Sequence, residues 1–130
     1  MNSIFISFII LFFNISIVHA RSRAAAWSCL LATKLTRRKF VTTFHGTYNF
    51  INPLKKFYNS VMVRSDLVIA GSNFIFSHIS NNYEKYINNK KRKLLVIFRG
   101  INTEYFSQNN ISNKALQKQI KEWQIDKNKF

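Results

Sequence analysis

His19, Arg21, Arg23, His45 and Arg99 each stand at or just past the end of a short apolar run, with Ser22, Gly46, Thr47 and Asn49 interleaved among them. These are the groups in the sequence best suited to hold an anion. Arginine guanidinium forks match phosphate oxygens two at a time, and a helix opening near Ala24 would aim backbone N–H groups at the same charge. A phosphate-bearing ligand fits such a set. Two plainer readings stay open on the residues alone: Arg21 and Arg23 as solvated loop cations, and His45 as a structural histidine bonded to its own loop.

These residues gather only if the runs before them lie side by side, and the order of elements predicts that they do. A helix over residues 2–13 precedes a short strand over 15–18. Ala24 to Leu35 lacks Gly and Pro and spaces Trp27, Leu31 and Leu35 four apart, as one face of a helix does. Phe40 to Phe44 is a β-branched and aromatic strand. Leu54, Phe57, Tyr58, Val61 and Met62 repeat at the spacing of a one-sided helix. Asp66 to Ala70 is a buried strand, Gly71 a turn, and Ser72 the N-cap of a helix carrying Phe74, Ile75, Phe76 and Ile79. Leu94 to Phe98 is a fourth strand. Such alternation builds a parallel sheet flanked by helices, because parallel neighbours need a crossover between them. The expected class is α/β and Rossmann-like, and in such sheets ligands bind beyond the carboxyl ends of the strands. Those ends are where the histidines and arginines fall. Leu116, Ile120 and Trp123 then mark a last helix, followed by a charged tail from Asp126 that would suit the entry to another strand.

With 130 residues there is room for one complete domain, and 47% apolar residues, including 13 Phe, 5 Tyr and 2 Trp, suffice for a packed core. Twenty Lys and Arg against five Asp and Glu give +15, which favours an anionic partner. The 15 Asn, 16 Ile and 13 Lys are also the bias of A- and T-rich codons, an alternative source of part of that charge. Cys29 is the single cysteine, so an intramolecular disulfide, a thiolate zinc site and an iron–sulfur cluster are excluded. The first twenty residues admit three readings: a secretory signal without a positive start, a membrane span interrupted by Ser7, Asn14 and Ser16, or the helix and strand above. The alternation that follows favours the third.

The runs His19-Ala-Arg-Ser-Arg23, Trp27-Ser28, Phe40-Val-Thr-Thr-Phe-His-Gly-Thr-Tyr-Asn49, Pro53-Leu-Lys55, Phe57-Tyr-Asn-Ser-Val-Met62, Asp66-Leu-Val-Ile-Ala70, Ser72-Asn-Phe-Ile75, Val96-Ile97 and Arg99-Gly-Ile-Asn102 resemble the N-terminal half of bacterial family-four glycosyltransferases. The resemblance runs from about Ile15 to Phe106. It implies a GT-B fold, two Rossmann-like domains across a cleft, and retaining transfer of a sugar from a nucleotide-sugar donor to a cell-envelope acceptor, lipopolysaccharide-like or lipid-linked. It implies that His45 is the catalytic histidine beside the transferred sugar. Arg21, Ser22, Arg23, Gly46, Thr47, Asn49 and Arg99 would bind substrate, mainly on the acceptor side. No metal and no other cofactor is implied, the nucleotide-sugar being a substrate.

Against the family pattern, Phe98 replaces a proline and Asn102 an aspartate, and Met1 corresponds to a point inside the family's N-terminal domain. Residues 1–107 are therefore expected to form part of the acceptor-side domain, and 108–130 a linker and the start of the donor domain, a fragment inactive by itself. A cytoplasmic location is implied, peripheral on the inner face of the membrane, with Lys34, Arg37, Arg38, Lys55 and Lys56 beside the acceptor cleft facing anionic lipid. Two other classes compete. A small nucleic-acid binder would use Lys90-Lys-Arg-Lys93 on phosphates and aromatics for stacking, although most aromatics fall at positions expected to face the core. A membrane-anchored interaction protein would use residues 1–20 as its span.

Overall fold

The computed structural model describes residues 2–48, 52–88 and 92–125. It divides into two compact units, residues 1–98 and 99–130. In the first, the chain runs α1 (Asn2–Phe12), β1 (Ile17–Ala20), α2 (Arg23–Thr36), β2 (Lys39–Phe44), α3 (Pro53–Asn59), a 3-10 turn (Ser60–Val63), β3 (Leu67–Ala70), α4 (Asn73–Ile87) and β4 (Lys93–Val96). The four strands pair in chain order, all parallel, with Ala20 opposite Thr42, Thr42 opposite Val68 and Val68 opposite Leu94. The sheet is the α/β, Rossmann-like one that the alternation predicts. The second unit contains a 3-10 turn (Gln108–Asn110) and α5 (Asn113–Glu122), whose side chains are all unburied. The tail from Asp126 and the cluster members Lys90 and Lys91 lie outside the described residues.

Local chemistry explains most element ends. Ser72 Oγ accepts from the Ile75 N–H at 3.2 Å, the N-cap expected of it, and Asn52 Oδ1 accepts from the Leu54 N–H at 2.8 Å with Pro53 at the first helical position. β1 begins two residues later than the apolar run suggests. Asn14 takes the left-handed conformation (φ 49°), and the Ile15 N–H closes back on the Ile10 carbonyl at 2.9 Å. That N–H terminates α1, so Ile15 is unavailable to the sheet, and His19 and Ala20 become strand residues.

Burial corrects two apolar faces and the placing of most aromatics. In α2 the buried positions are Ala26, Leu30, Ala32 and Thr33, whereas Leu31 and Leu35 are exposed. Small residues let the helix approach the sheet, and the larger stripe is left outside. The one-sided helix expected from Leu54 breaks at Asn59 into the 3-10 turn, which spoils the 3.6-residue period. Val61 and Met62 are then buried while Leu54, Phe57 and Tyr58 are exposed. Most aromatics were expected to face the core, yet beside buried Phe40, Phe44 and Tyr83 stand exposed Phe5, Phe8, Phe12, Phe13, Phe57 and Phe74.

Under the sheet, Phe40, Thr42 and Phe44 alternate inward with Val68 and Ala70 against Val61, Met62, Val63, Ile75, Ile79 and Tyr83. Thr42 is tolerated there because its hydroxyl donates to the Met62 carbonyl at 2.7 Å, with Ser65 Oγ also at 2.7 Å. His78 packs on the rings of Phe44 and Tyr83, at centroid distances of 6.0 and 6.3 Å, and burial holds its imidazole below the usual histidine range. The folded state therefore binds fewer protons than the unfolded one just below the unperturbed histidine pKa. Stability from His78 is complete above about pH 6.5 and declines as pH falls through that value. Urea unfolding of the chain at falling pH should show this acid loss, and His78→Gln should flatten it; an unchanged acid slope in the variant would refute the assignment.

Candidate functional site at the carboxyl rim of the sheet

Because β1 and β2 are parallel and in register, their exits lie together, and residues 24 apart in sequence meet above them. The Arg21 Nε–H donates to His45 Nε2 at 3.1 Å. That bond needs an unprotonated Nε2, which places the ring proton of the neutral imidazole on Nδ1. Arg21 is exposed and spends only its Nε on this bond, leaving its terminal N–H groups for an anion. Below this pair, His19 Nε2 lies 2.8 Å from Thr43 Oγ1.

Arg23, the first residue of α2, is held more firmly. Its Nη1 donates to Asn59 Oδ1 at 2.7 Å, and its guanidinium lies over the Tyr48 ring at 4.5 Å and the Tyr58 ring at 5.7 Å. Asn59, only 1% exposed, ends α3. Trp27 fixes that helix to α2 by donating from Nε1 to the Tyr58 carbonyl at 3.1 Å. Tyr48 is backed by Phe44, with centroids 4.7 Å apart. Burial raises the Tyr48 phenol above its usual range, with Arg23 and a bond to the His45 backbone pulling the other way. The rim thus carries two guanidinium groups, one stacked and one presented, beside a histidine whose Nε2 accepts from Arg21.

The other expected residues are placed unevenly. Ser22 is the N-cap residue of α2, but its side chain makes no cap bond, so the hydroxyl is not consumed by the helix. A Cβ on Gly46 would meet nothing within 4 Å, so open space lies beside that backbone, and Thr47 is exposed. Asn49 lies outside the described residues, and Arg99 belongs to the unit of residues 99–130. Asn59, Tyr48, Tyr58 and Thr43 were not among the expected site residues, whereas His19 was expected at this rim and lies there. The signal for Asn59 was a polar residue between apolar Tyr58 and Val61; nothing local distinguishes the others.

One expectation is overturned by topology. Lys34, Arg37 and Arg38 were placed beside the same cleft, but α2 starts at the carboxyl rim and runs back to the start of β2. Its C-terminal cations therefore sit at the opposite pole of the sheet, while Lys55 and Lys56 follow the exit of β2. Cys29 offers no nucleophile, since burial pushes its thiol up and away from the thiolate. Among the described residues no group of three His, Cys, Asp or Glu side chains could hold a metal ion, and no helix is long and apolar enough to cross a membrane.

Comparison with known proteins adds to this geometry. Residues 3–105 match the family described as Glycosyltransferase Family 4. Among solved structures, a glycosyltransferase from Rickettsia africae ESF-5 is similar, with 44% sequence identity and a TM-score of 0.65 over 98% of this chain. The chain spans 32% of that protein's length. No curated protein matches. A family match over most of the chain, and a solved glycosyltransferase sharing its parallel sheet, establish that the chain belongs to glycosyltransferase family 4.

Proposed function

We propose that this chain supplies the acceptor side of a retaining sugar transfer from a nucleotide-sugar to a cell-envelope acceptor, lipopolysaccharide-like or lipid-linked, at the inner face of the cytoplasmic membrane. The observation that carries this reading is the Arg21 to His45 bond beside the stacked Arg23 at the carboxyl rim. In it, His45 stands next to the transferred sugar, and its neutral form lets the ring approach a developing positive charge at the sugar carbon without repulsion. Arg21 sets the orientation of that ring and presents its terminal N–H groups to an acceptor phosphate. Arg23, clamped by Asn59 and Tyr48, fixes where α2 begins, so its N-terminal N–H groups and Ser22 converge on the same anion. Gly46 and Thr47 leave room for a sugar ring beside the backbone. The donor and acceptor are substrates, and no metal takes part.

The experiment is direct binding of the purified chain to phosphorylated lipid-linked oligosaccharides in detergent micelles, with empty micelles and free nucleotide-sugars as controls. Saturable binding to the oligosaccharide is expected. Arg21→Gln should weaken it at least tenfold, because the bond its terminal N–H groups offer an acceptor phosphate involves a charge and such a bond contributes about 1.5–3 kcal/mol. Saturable binding of nucleotide-sugars with none of the oligosaccharide would overturn the acceptor-side assignment.

A further inference from the structure

At the opposite pole, the amino-terminal ends of three neighbouring strands enclose a second basic feature that the carboxyl rim does not use. A cavity of about 350 Å³ is lined by Lys34, Arg37 and Arg38 from the end of α2, Lys39 at the start of β2, Arg64 before β3 and Arg92 before β4. Leu30, Thr33 and Phe40 complete the wall, and Asp66 is the single carboxylate in it. Asp66 does not neutralise the set. Its Oδ2 accepts from the Phe40 backbone N–H at 2.9 Å, and among the described residues no ion pair within 4 Å involves any of the six cations.

The protein spends part of this donor set on itself and leaves part over. Arg38 Nη2 donates to Asn14 Oδ1 at 2.9 Å, Arg64 Nε to Ser60 Oγ at 3.0 Å, and Arg92 Nη1 to the Tyr86 carbonyl at 2.6 Å. These bonds hold three guanidinium groups in place through neutral partners, so their charge remains unbalanced. Arg64 is further fixed over the rings of Tyr86, Phe57 and Trp27, at 4.9, 5.0 and 5.6 Å. Arg38 Nε is buried without any acceptor, a donor a folded protein rarely leaves unmet. Carbonyls at the end of α2 would oppose an anion, but Arg37 in the left-handed conformation turns its N–H onto Lys34 and that of Arg38 onto Thr33. That cap answers the repulsion locally.

We propose that this amino-terminal cavity, walled by Lys34, Arg37, Arg38, Lys39, Arg64 and Arg92, binds a phosphate group at a site separate from the carboxyl rim. Fixed guanidinium forks suit phosphate oxygens better than a carboxylate of equal charge, because a phosphate offers more oxygens to several donors at once. The group is carried by a free phosphate compound or by a lipid headgroup, and the chemistry of the cavity is the same for both.

Calorimetric titration of the full chain with inorganic pyrophosphate in about 0.15 M salt, where diffuse attraction is screened within about 8 Å, tests this. One pyrophosphate per chain at this cavity is expected. Arg38→Gln should weaken binding at least tenfold, and so should the exposed pair Lys34→Gln with Lys39→Gln, whose removal cannot unfold the core. Lys55→Gln with Lys114→Gln removes the same charge elsewhere and should change affinity less than twofold. No binding at this salt, or equal losses in both double variants, would overturn the site, leaving only diffuse charge. Adding phosphatidylcholine vesicles with or without phosphatidic acid separates the sources: displacement of pyrophosphate by the acidic vesicles alone assigns a lipid headgroup, and unchanged pyrophosphate binding assigns a soluble phosphate.

Discussion

Phe44→Ala should destabilise the 1–98 unit by about 3–5 kcal/mol, the range for removing a fully buried aromatic ring. Phe44 is completely buried, at the end of β2, and its ring contacts those of Tyr48, His78 and Tyr83. Small domains have only about 5–15 kcal/mol of total stability, so this loss is a large share of it. Phe44→Leu, which keeps most of the volume, should lose clearly less. The effect reaches the rim because Tyr48, stacked between Phe44 and Arg23, loses its backing. Under conditions where the variant is still folded, oligosaccharide binding should therefore fall together with stability. Urea unfolding followed by circular dichroism measures the first effect. A loss below about 1 kcal/mol would mean that the aromatic cluster does not carry the core as its geometry implies.

The second large effect concerns α1. Of its side chains only Ile10 is buried, while Ile4, Phe5, Phe8, Leu11 and Phe12, with Phe13 just beyond, are between 60% and 73% exposed. An 11-residue helix is about 16 Å long, half of a hydrocarbon core near 30 Å, so this face cannot be explained as a span. Phe8 and Phe12 stack on each other at 5.7 Å, and Phe13 meets Phe12 edge-on at 4.9 Å, which covers little of them. An apolar patch of this kind drives association. Covering each phenylalanine is worth about 1–2 kcal/mol at this exposure, so replacing Phe5, Phe8 and Phe12 by serine removes about 3–6 kcal/mol of driving force. That corresponds to association at least 100-fold weaker. Sedimentation velocity should show the purified chain self-associating and the triple variant shifted toward monomer. A monomeric parent chain, or a variant that associates equally well, would show that α1 is not the sticky surface.

The sequence by itself determined the class of fold and the address of the rim. Alternating helical and strand periods without Gly or Pro in their interiors allow few arrangements other than a parallel sheet, and a parallel sheet sends all strand exits to one edge. Arg21 and His45 could therefore be assigned to a common place from position alone, and Ser72 to its cap from residue type. Topology also decided that the cations ending α2 face the other pole, a consequence of every crossover helix running back against its strands.

Tertiary structure decided the rest, for reasons of partnership rather than pattern. Periodicity says which side chains of a helix share a face, but not whether anything covers that face. Leu31 and Leu35 of α2, and Leu54, Phe57 and Tyr58 of α3, repeat at helical spacing and are exposed, whereas Ala26, Leu30 and Thr33, unremarkable in sequence, are the positions that let α2 approach the sheet. The delayed start of β1 depended on one N–H claimed by the end of a helix. The Arg23, Asn59 and Tyr48 arrangement joins three separate segments, and no local signal encodes a hydrogen bond between residues 36 apart. Such a bond exists only once the sheet has brought α2, α3 and the loop after β2 within reach of one another.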